Sequence, residues 1–231
     1  MRKVWITVGM AVALSAMPVA SVAGEDGSLC VDGAVVAASA AGLVDAHVGG
    51  LLKMMEVLAS TADLQVGLWG GMRDLLGRFE ELAISFDAWF LLPDGSYYKV
   101  DGGLTGSNLS DRGYFPKVMA GEITLGDLVV SRSTGRKSMV MTVPIVREET
   151  IVGALGATVF LDDLGRLIAD ALALPEGIAF FAYAPDGSIT LHANPERLLQ
   201  DAAEAGFDRT GAAEAVSDLL GWKFVVEATD G

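Results

Sequence analysis

Two stretches of the sequence repeat one pattern 92 residues apart: Trp89-Phe90-Leu91-Leu92-Pro93-Asp94-Gly95-Ser96-Tyr97-Tyr98 and Phe181-Ala182-Tyr183-Ala184-Pro185-Asp186-Gly187-Ser188-Ile189-Thr190. Each has an apolar run, the tetrapeptide Pro-Asp-Gly-Ser and a second run of strand-forming residues. Pro, Asp and Gly supply the backbone conformations of a tight turn between two strands. The repeat therefore predicts two related strand–turn–strand modules.

Further runs of strand length surround both turns, rich in Val, Ile, Thr and aromatic residues. The predicted strands cover residues 88–92, 97–100, 128–133, 138–146, 151–160, 178–184, 188–192 and 222–228. A short helix opened by Ser110 or Asp111 and closed by Gly121 separates the second strand from the third. Helices are also expected at 162–172 and from Pro195 onward. The second module is the smaller one.

The segment before these strands, residues 31–83, has the composition and spacing of helix. It has no Pro, and apolar side chains recur at helical intervals. Two series show this spacing: Leu51, Met54, Met55, Leu58, and Leu68, Met72, Leu75, Leu76, Phe79. The pairs Gly49-Gly50 and Gly70-Gly71 predict kinks or breaks, so the segment is one long helix or two in tandem. Together the elements predict an α+β fold, with helices packed on antiparallel sheets.

The N-terminus has the three parts of a secretory signal peptide. Arg2 and Lys3 precede an apolar run over residues 4–17, and small residues surround a cleavage point after Ala23. The alternative is an uncleaved anchor, but the run is shorter than the roughly 20 residues of a spanning helix. Asp45 and His47 interrupt the next apolar stretch. We therefore expect residues 1–23 to be removed and the mature protein to be periplasmic or secreted.

The charge and the scarcity of metal-binding side chains exclude several classes of function. The net charge of −14 becomes −16 when Arg2 and Lys3 are removed, which disfavours binding to nucleic acid or anionic lipid. Cys30 is the only cysteine and, with His47 and His192, offers too few ligands for zinc or haem. The sequence has no phosphate-binding or nucleophile motif. We expect no metal, no cofactor and no enzymatic activity.

Several stretches, taken in order, resemble the extracytoplasmic double-Cache family of sensor domains. They are Asp94-Gly95-Ser96-Tyr97-Tyr98, Asn108-Leu109-Ser110-Asp111-Arg112-Gly113-Tyr114-Phe115, Ser131-Arg132-Ser133-Thr134-Gly135, Val143-Pro144-Ile145 and Val152-Gly153-Ala154-Leu155-Gly156-Ala157. The resemblance implies a long N-terminal helix (24–84) bracing two PAS-like modules. The first module (85–175) usually holds the ligand, and the second (176–231) is shorter.

The resemblance also implies which residues bind the ligand. Arg112, Tyr114 and Phe115 match positions that face the pocket, where the Arg commonly holds a ligand carboxylate. A guanidinium group suits this role because its planar fork donates two parallel hydrogen bonds. In the alternative interpretation, Arg112 pairs with Asp111 or another acid, and the two aromatic side chains belong to the core.

Strand alternation suggests further pocket residues. Ser131 and Ser133 share one face of their predicted strand. On the next strand Met139, Met141 and Val143 share a face, with Thr142 on the other. We include Ser131, Ser133 and Met141 in the pocket, although a half-solvated hairpin has the same pattern. The aromatic residues Trp89, Tyr97 and Tyr98 supply one or two walls, of which we select Trp89 and Tyr98; core packing is the alternative.

Thr158 bears on the ligand. In the amino-acid-binding subset of the resembling domains an Asp holds the ligand ammonium at this position, and Thr cannot neutralise that charge. We therefore expect an organic acid or a neutral polar molecule rather than an α-amino acid. Asp162 or Asp163 could substitute, although both more simply begin the following helix, where acids favour the helix dipole.

The function predicted from the sequence is that of a small-molecule-binding sensor module. Its ligand is a small anionic or polar metabolite. Because the sequence shows no second membrane span and no output module, we expect the bound state to be presented to a partner, such as a membrane receptor or a second copy. The alternative is a scaffold for interaction or dimerisation whose pocket is filled by side chains.

Overall fold

The computed structural model describes residues 32–81, 85–175, 177–206 and 213–228. The predicted signal peptide, its cleavage point after Ala23 and Cys30 lie outside these residues. Within the described ranges the chain forms helices and strands in the predicted α+β arrangement. A long helix leads into a six-stranded antiparallel sheet, and a four-stranded antiparallel sheet follows.

The helical segment forms three helices: α1 (Gly33–Ala59), α2 (Ala62–Val66) and α3 (Trp69–Glu81). The breaks do not lie at the predicted glycine pairs, because α1 continues through Gly49-Gly50 and α3 includes Gly70-Gly71. Instead, α1 ends where Ser60 and Thr61 donate side-chain hydrogen bonds to the Val57 and Leu58 carbonyls. The α2 helix ends at Gly67, whose φ of 74° is left-handed.

By length and composition, α1 is the only helix in the described part of the chain that could cross a membrane. Core helices of water-soluble proteins also meet this criterion. A continuous face of α1 is buried: Val36, Ala37, Ala40, Ala41, Val44, Val48, Leu51, Met55 and Ala59. These side chains belong to the hydrophobic core shared by the helices and both sheets, so α1 braces the two modules.

The first sheet has the strand order β3-β2-β1-β6-β5-β4. Its strands are β1 (Phe86–Leu91), β2 (Ser96–Lys99), β3 (Gly103–Asn108), β4 (Thr124–Val130), β5 (Lys137–Arg147) and β6 (Thr150–Phe160). The short helix α4 (Tyr114–Met119) lies between β3 and β4, and α5 (Leu161–Leu172) follows β6. The edge strand β3 was not predicted from the sequence. The predicted strand 128–133 is displaced, because the chain turns after Val130.

The second sheet has the order β8-β7-β10-β9 and is smaller, as predicted. Its strands are β7 (Ile178–Tyr183), β8 (Ile189–Leu191), β9 (Ala213–Val216) and β10 (Lys223–Ala228). The helix expected from Pro195 is a single 3-10 turn, Pro195–Arg197. The edge strand β9 was also missed. A side chain of α1 is hydrogen-bonded to this module. The Asp45 carboxylate accepts hydrogen bonds from Ser217 Oγ (2.5 Å) and from the backbone nitrogen of Asp218 (2.8 Å).

The two Pro-Asp-Gly-Ser turns share one hydrogen bond from a backbone nitrogen to the aspartate side chain. In the first, Asp94 Oδ1 accepts from the Ser96 nitrogen at 2.9 Å; in the second, Asp186 Oδ1 accepts from the Ser188 nitrogen at 2.9 Å. Gly95 and Gly187 both have left-handed φ values, 86° and 92°. This shared geometry confirms that the repeated sequence forms two like turns between neighbouring antiparallel strands.

The two faces of the first sheet have different surroundings. On the inner face, Phe90, Met139, Met141 and other apolar side chains join the core beneath the helices. The outer face carries a separate apolar cluster: Trp89, Leu91, Tyr97, Leu109, Tyr114, Val118, Val140 and Ala154. Helix α4 contributes Tyr114 and Val118 to this cluster. The outer face is therefore partly covered, and a small cavity remains at its polar end.

Candidate functional site

The cavity lies on the outer face of the first sheet and has a volume of about 30 Å³. Strands β1, β2, β4, β5 and β6 supply its floor, and the segment before α4 and the β4–β5 turn supply its rim. The lining residues are Asp87, Trp89, Tyr97, Lys99, Leu109, Arg112, Tyr114, Val129, Ser131, Arg132, Ser133, Val140 and Thr158. Since about 10–15 Å³ of such volume is enough for one water molecule, the cavity admits about two, and side chains fill most of the site in this conformation.

The structure brings most of the predicted site residues together. Six line the cavity: Trp89, Arg112, Tyr114, Ser131, Ser133 and Thr158. The other three lie elsewhere. Tyr98 and Met141 point to the inner face, where Tyr98 stacks on Trp69 and Met141 is fully buried in the main core. Phe115 packs against the outer apolar cluster without lining the cavity.

Strand register explains the displacement of Tyr98 and Met141. Phe90 pairs with Tyr98 across β1 and β2, and both side chains join the inner core. Tyr97 therefore takes the outer position that the prediction assigned to Tyr98. On β5 the predicted alternation is present, but Met141 shares the buried face under the helices, while Val140 lines the cavity.

Trp89 and Thr158 form the floor of the cavity. The Trp89 indole nitrogen donates to Thr158 Oγ1 at 2.9 Å, and both residues are buried. The ring lies against Gly156, where a Cβ atom would come within 2.2 Å of it. Tyr97 and Tyr114 contact the same indole, with ring centroids 6.1 and 6.0 Å away. These contacts fix the ring, and burial raises the pKa of the Tyr114 phenol, which stays protonated.

Arg112 lies at the rim, just before α4. Its Nη2 donates to the Val130 carbonyl at 3.1 Å, and it forms no salt bridge with any described residue. Asp111, the partner considered from the sequence, pairs with Arg132 instead at 2.5 Å. That hydrogen bond from Arg132 lowers the pKa of the Asp111 carboxyl group. The Arg112 guanidinium therefore faces the site without a carboxylate partner.

Ser131 and Ser133 reach the cavity from a turn and not from a strand. The backbone nitrogen of Gly135 donates to the Ser131 carbonyl at 2.8 Å, which closes the turn between β4 and β5. The hydroxyl oxygens of Ser131 and Ser133 are 3.3 Å apart. The predicted sharing of one strand face is therefore wrong in its geometry, although both side chains still line the cavity.

Asp87 and Lys99 were not predicted as site residues, and they form an ion pair at the cavity. Lys99 Nζ lies 2.5 Å from Asp87 Oδ2, and the two side chains are only 17% and 26% exposed. Lys99 also donates to Ser133 Oγ at 3.3 Å. Both residues could have been found by alternation, since Asp87 precedes Trp89 by two positions and Lys99 follows Tyr97 by two. The predicted strand began at residue 88 and excluded Asp87.

The turn that lines the cavity continues directly into contacts with the rest of the molecule. Arg136 Nη2 donates to Asp162 Oδ1 (2.5 Å) and Asp163 Oδ2 (2.8 Å) at the start of α5, and its guanidinium lies 3.8 Å from the Phe160 ring centroid. Lys137 Nζ donates to the Pro195 and Glu196 carbonyls at 3.1 and 2.9 Å. Two consecutive side chains thus connect the cavity's rim to α5 and to the second module.

Several larger surface depressions lie outside this site, among them a cleft beside α5 and a groove between two helices. A cleft of about 660 Å³ separates α5 from the second sheet; its lining includes Arg166, which pairs with Asp163. A groove of about 470 Å³ between α1 and α3 is almost wholly apolar. Its walls are Met54, Val57, Leu58, Leu75 and Phe79, with Lys53 and Arg78 at the margins.

The fold matches solved ligand-binding domains of bacterial chemoreceptors. That of the Pseudomonas aeruginosa PAO1 amino acid chemoreceptor PctC, in complex with GABA, matches with a TM-score of 0.66 and 16% identity over 84% of this chain and 97% of that one. The ligand-binding domain of the Pseudomonas fluorescens chemoreceptor CtaA, in complex with L-valine, matches with a TM-score of 0.68 and 13% identity. The match covers 86% of this chain and 96% of that one. The sensory domain of the Campylobacter jejuni chemoreceptor Tlp3, with isoleucine bound, matches with a TM-score of 0.59 and 12% identity. The match covers 85% of this chain and 89% of that one.

These matches cover nearly the whole length of the solved domains. The chain therefore has the fold of chemoreceptor ligand-binding domains, which confirms the double-Cache layout predicted from the sequence. No protein-family model and no curated protein matches the sequence.

Proposed function

We propose that this protein is an extracytoplasmic sensor module that binds a small anionic metabolite in the outer-face cavity of its first sheet. The observation that carries the proposal is Arg112, a cavity-lining guanidinium with no carboxylate partner among the described residues. In a chain with a net charge of −14, three cations line this one cavity, and Asp87 is the only acid among the lining residues. Asp87 and Asp111 pair with Lys99 and Arg132, so the positive charge of Arg112 remains, and it favours an anion.

The size of the cavity restricts the ligand further. A volume of about 30 Å³ does not admit a large metabolite without movement. The rim is formed by Arg112 and by Ser131, Arg132 and Ser133 of the β4–β5 turn, where Arg132 and Ser133 are exposed. Because turns move more readily than sheet floors, entry of a ligand displaces this rim. Tyr114 and Trp89 then bound the apolar side of the ligand.

The same turn provides a way to pass the bound state to the rest of the protein. A ligand that moves Ser131 and Ser133 also moves Arg136 and Lys137, which hold α5 and the second module. Asp45 in turn joins the second module to α1. A ligand switches a protein between two states only if it binds one state more tightly than the other. Here the two states are two positions of the β4–β5 turn that differ in their affinity for the ligand.

We assign residues 1–23 to a cleaved signal peptide, 24–84 to the helical brace, 85–175 to the ligand-binding module and 176–231 to the second module. The mature protein is then periplasmic or secreted, and it presents its bound state to a membrane receptor or to a second copy. N-terminal sequencing of the protein recovered from the periplasm or culture medium tests the cleavage point: Gly24 is the expected first residue, and an intact Met1 contradicts the assignment.

A thermal-shift screen of the mature chain tests the binding site. The panel contains organic acids, amino acids, amines and sugars. A ligand at 100 times its dissociation constant adds about 2.7 kcal/mol to the free energy of unfolding, which raises the Tm measurably. We expect small carboxylates to bind, Arg112→Ala to abolish the shift, and the matched variant Arg147→Ala, on a remote exposed arginine, to retain it. A shift that survives Arg112→Ala places the ligand elsewhere, for example in the α5 cleft.

The apolar groove between α1 and α3 favours a second candidate function, that of an interaction or dimerisation scaffold. Val57 is 66% exposed on its wall, and the outer-face cavity is nearly filled, as a non-binding derivative requires. Sedimentation analysis distinguishes the candidates. A stable dimer that Val57→Asp dissociates, together with no ligand in the panel, supports the scaffold; a monomer that binds a carboxylate excludes it.

A further inference from the structure

We propose that Lys99 is an internal ammonium group that occupies the cavity's only lining carboxylate, Asp87, and thereby selects small carboxylates that carry no amino group. This inference rests on the proposed anion site and names its ligand class. It makes Lys99 a specificity-determining residue and separates this protein's ligands from the amino acids found in the domains of similar fold.

Strand register places Asp87 beside the position where the resembling amino-acid-binding domains hold an acid. Asp87 on β1 is the direct cross-strand partner of Thr158 on β6. Thr158 itself cannot neutralise an ammonium, and its hydroxyl oxygen already accepts a hydrogen bond from Trp89. The cavity therefore retains one lining acid, Asp87, displaced by one strand and within the same cavity.

That acid is already paired. Lys99 projects from β2 to the same outer face, and its ammonium lies 2.5 Å from Asp87 Oδ2. Ser133 Oγ is a second acceptor at 3.3 Å. A ligand ammonium that displaced Lys99 would leave the lysine charge in a partly buried site with only a hydroxyl contact, which costs free energy. The displaced lysine would also lie near Arg112 and Arg132, the other cations that line the cavity.

A ligand carboxylate meets no such obstacle. Arg112 has no carboxylate partner among the described residues, and Ser131 and Ser133 present hydroxyl groups at the rim. The other two cations, Arg132 and Lys99, already pair with Asp111 and Asp87. An amine-free acid gains these interactions without breaking the Lys99–Asp87 pair. A zwitterion of the same size brings a second charge, of the wrong sign, into a cavity whose one anion is neutralised.

Matched pairs of ligands, measured by titration calorimetry on the mature chain, test the inference. The pairs are acetate and glycine, propanoate and L-alanine, and butanoate and GABA, which differ only in the amino group. In each pair whose amine-free acid binds, we expect the wild-type protein to bind that acid at least tenfold more tightly than its amino counterpart. Lys99→Met keeps the aliphatic stem, removes the charge and frees Asp87, so we expect the preference to narrow at least tenfold or to reverse.

Two control variants isolate the charge of Lys99. Lys99→Arg retains a cation and the preference, and Lys117→Met, on an exposed lysine of α4, leaves both affinities unchanged. Equal affinity of the wild-type protein for both members of each pair, or an unchanged ratio in Lys99→Met, overturns the role of Lys99 and leaves the Arg112 site standing. Absence of carboxylate binding by the wild-type protein overturns both the proposed function and the inference.

Discussion

The indole nitrogen of Trp89 donates a hydrogen bond to Thr158 Oγ1 across the β1–β6 strand pair, at 2.9 Å in the buried floor of the cavity. This bond holds the largest side chain of the site against the sheet. It also uses one lone pair of the Thr158 hydroxyl oxygen. The pair therefore fixes both the shape of the cavity floor and part of its polarity.

A double-mutant cycle measures this hydrogen bond. Trp89→Phe leaves the buried Thr158 hydroxyl without its donor, and we expect a loss of about 1–3 kcal/mol in the free energy of unfolding. Thr158→Val removes the acceptor with a similar cost. Urea denaturation of the double variant should show less than the sum of the single effects. Strict additivity would mean that the two groups do not interact in solution.

Gly156→Ala tests how tightly the indole is fixed. A Cβ atom at Gly156 would lie 2.2 Å from Trp89 Cζ2, and the Trp89 ring is held by Thr158 and two tyrosines. We expect destabilisation of about 1–3 kcal/mol or more, because overpacking forces side chains from their rotamers. Gly106→Ala, on strand β3 with no atom within 4 Å of its Cβ position, is the matched control. Equal Tm values for the two variants would contradict the packing.

Arg136 and Arg166 provide a matched comparison at the start of α5. Both pair with Asp162 and Asp163, but the Arg136 side chain is 33% exposed and lies over Phe160, whereas Arg166 is 69% exposed. We expect Arg136→Ala to cost about 1–3 kcal/mol because hydrogen bonds to charged groups are lost in a partly buried site. Arg166→Ala should change stability by under about 1 kcal/mol.

Hydrogen exchange in the same two variants tests the connection to the second module. Faster amide exchange in α5 is expected for Arg136→Ala only. Comparable exchange in both variants would remove the structural basis for the proposed transmission from the β4–β5 turn.

Asp45 links α1 to the second module through hydrogen bonds from Ser217 Oγ and from the backbone nitrogens of Asp218 and Leu219. Asp45→Ala leaves these donors unpaired, and we expect a loss of about 1–3 kcal/mol. Asp63→Ala, on the exposed surface of α2, is the control. Chemical denaturation checks the difference, and an equal effect of the two substitutions would show that the link adds no stability.

Glu80 gives a prediction of pH dependence. Its carboxylate accepts a hydrogen bond from the Ala88 nitrogen at 2.7 Å, but burial raises its pKa above the ordinary 4.5. A raised pKa in the folded state means that ionisation of Glu80 opposes folding. The stability that the protonated Glu80 carboxyl group contributes is therefore fully present below pH 4.5, and it is lost as the pH rises through the folded-state pKa. Glu80→Gln should therefore gain stability at pH 7 relative to the wild type, and less at pH 4.

The exposed neighbour of Glu80 supplies the control for that experiment. Glu81→Gln removes the same charge from the next position in α3. Because Glu81 is exposed, we expect its substitution to change stability little. Thermal unfolding of the three proteins at pH 4 and pH 7 makes the comparison, and a parallel response of Glu80→Gln and Glu81→Gln would contradict the effect of burial.

Much of the site could be predicted because its signals are local. Arg112, Tyr114, Ser131 and Ser133 lie in short stretches that carry the resemblance, and all four line the cavity. Tyr98 and Met141 were assigned to the wrong face. Alternation states which residues share a face, but the packing of the helices decides which face is buried beneath them.

The edge strands show a related limit. Gly103–Asn108 contains two glycines and few β-branched residues, so its propensity for strand is weak. It becomes a strand because β2 offers unpaired backbone groups beside it. In α1 the reverse holds: packing against both sheets keeps Gly49-Gly50 helical, although glycine alone favours a break.

The sequence by itself determined the two matching turns, the helical brace and the α+β class, because turn chemistry and apolar periodicity act over a few neighbouring residues. Only the tertiary structure decided that Asp111 pairs with Arg132, that Arg112 meets no acid among the described residues, and that Lys99 pairs with Asp87. The pairs Lys99–Asp87 and Arg132–Asp111 join residues 12 and 21 positions apart, and they depend on register and side-chain direction. In a chain with 30 acidic residues, composition cannot specify which acid each cation meets.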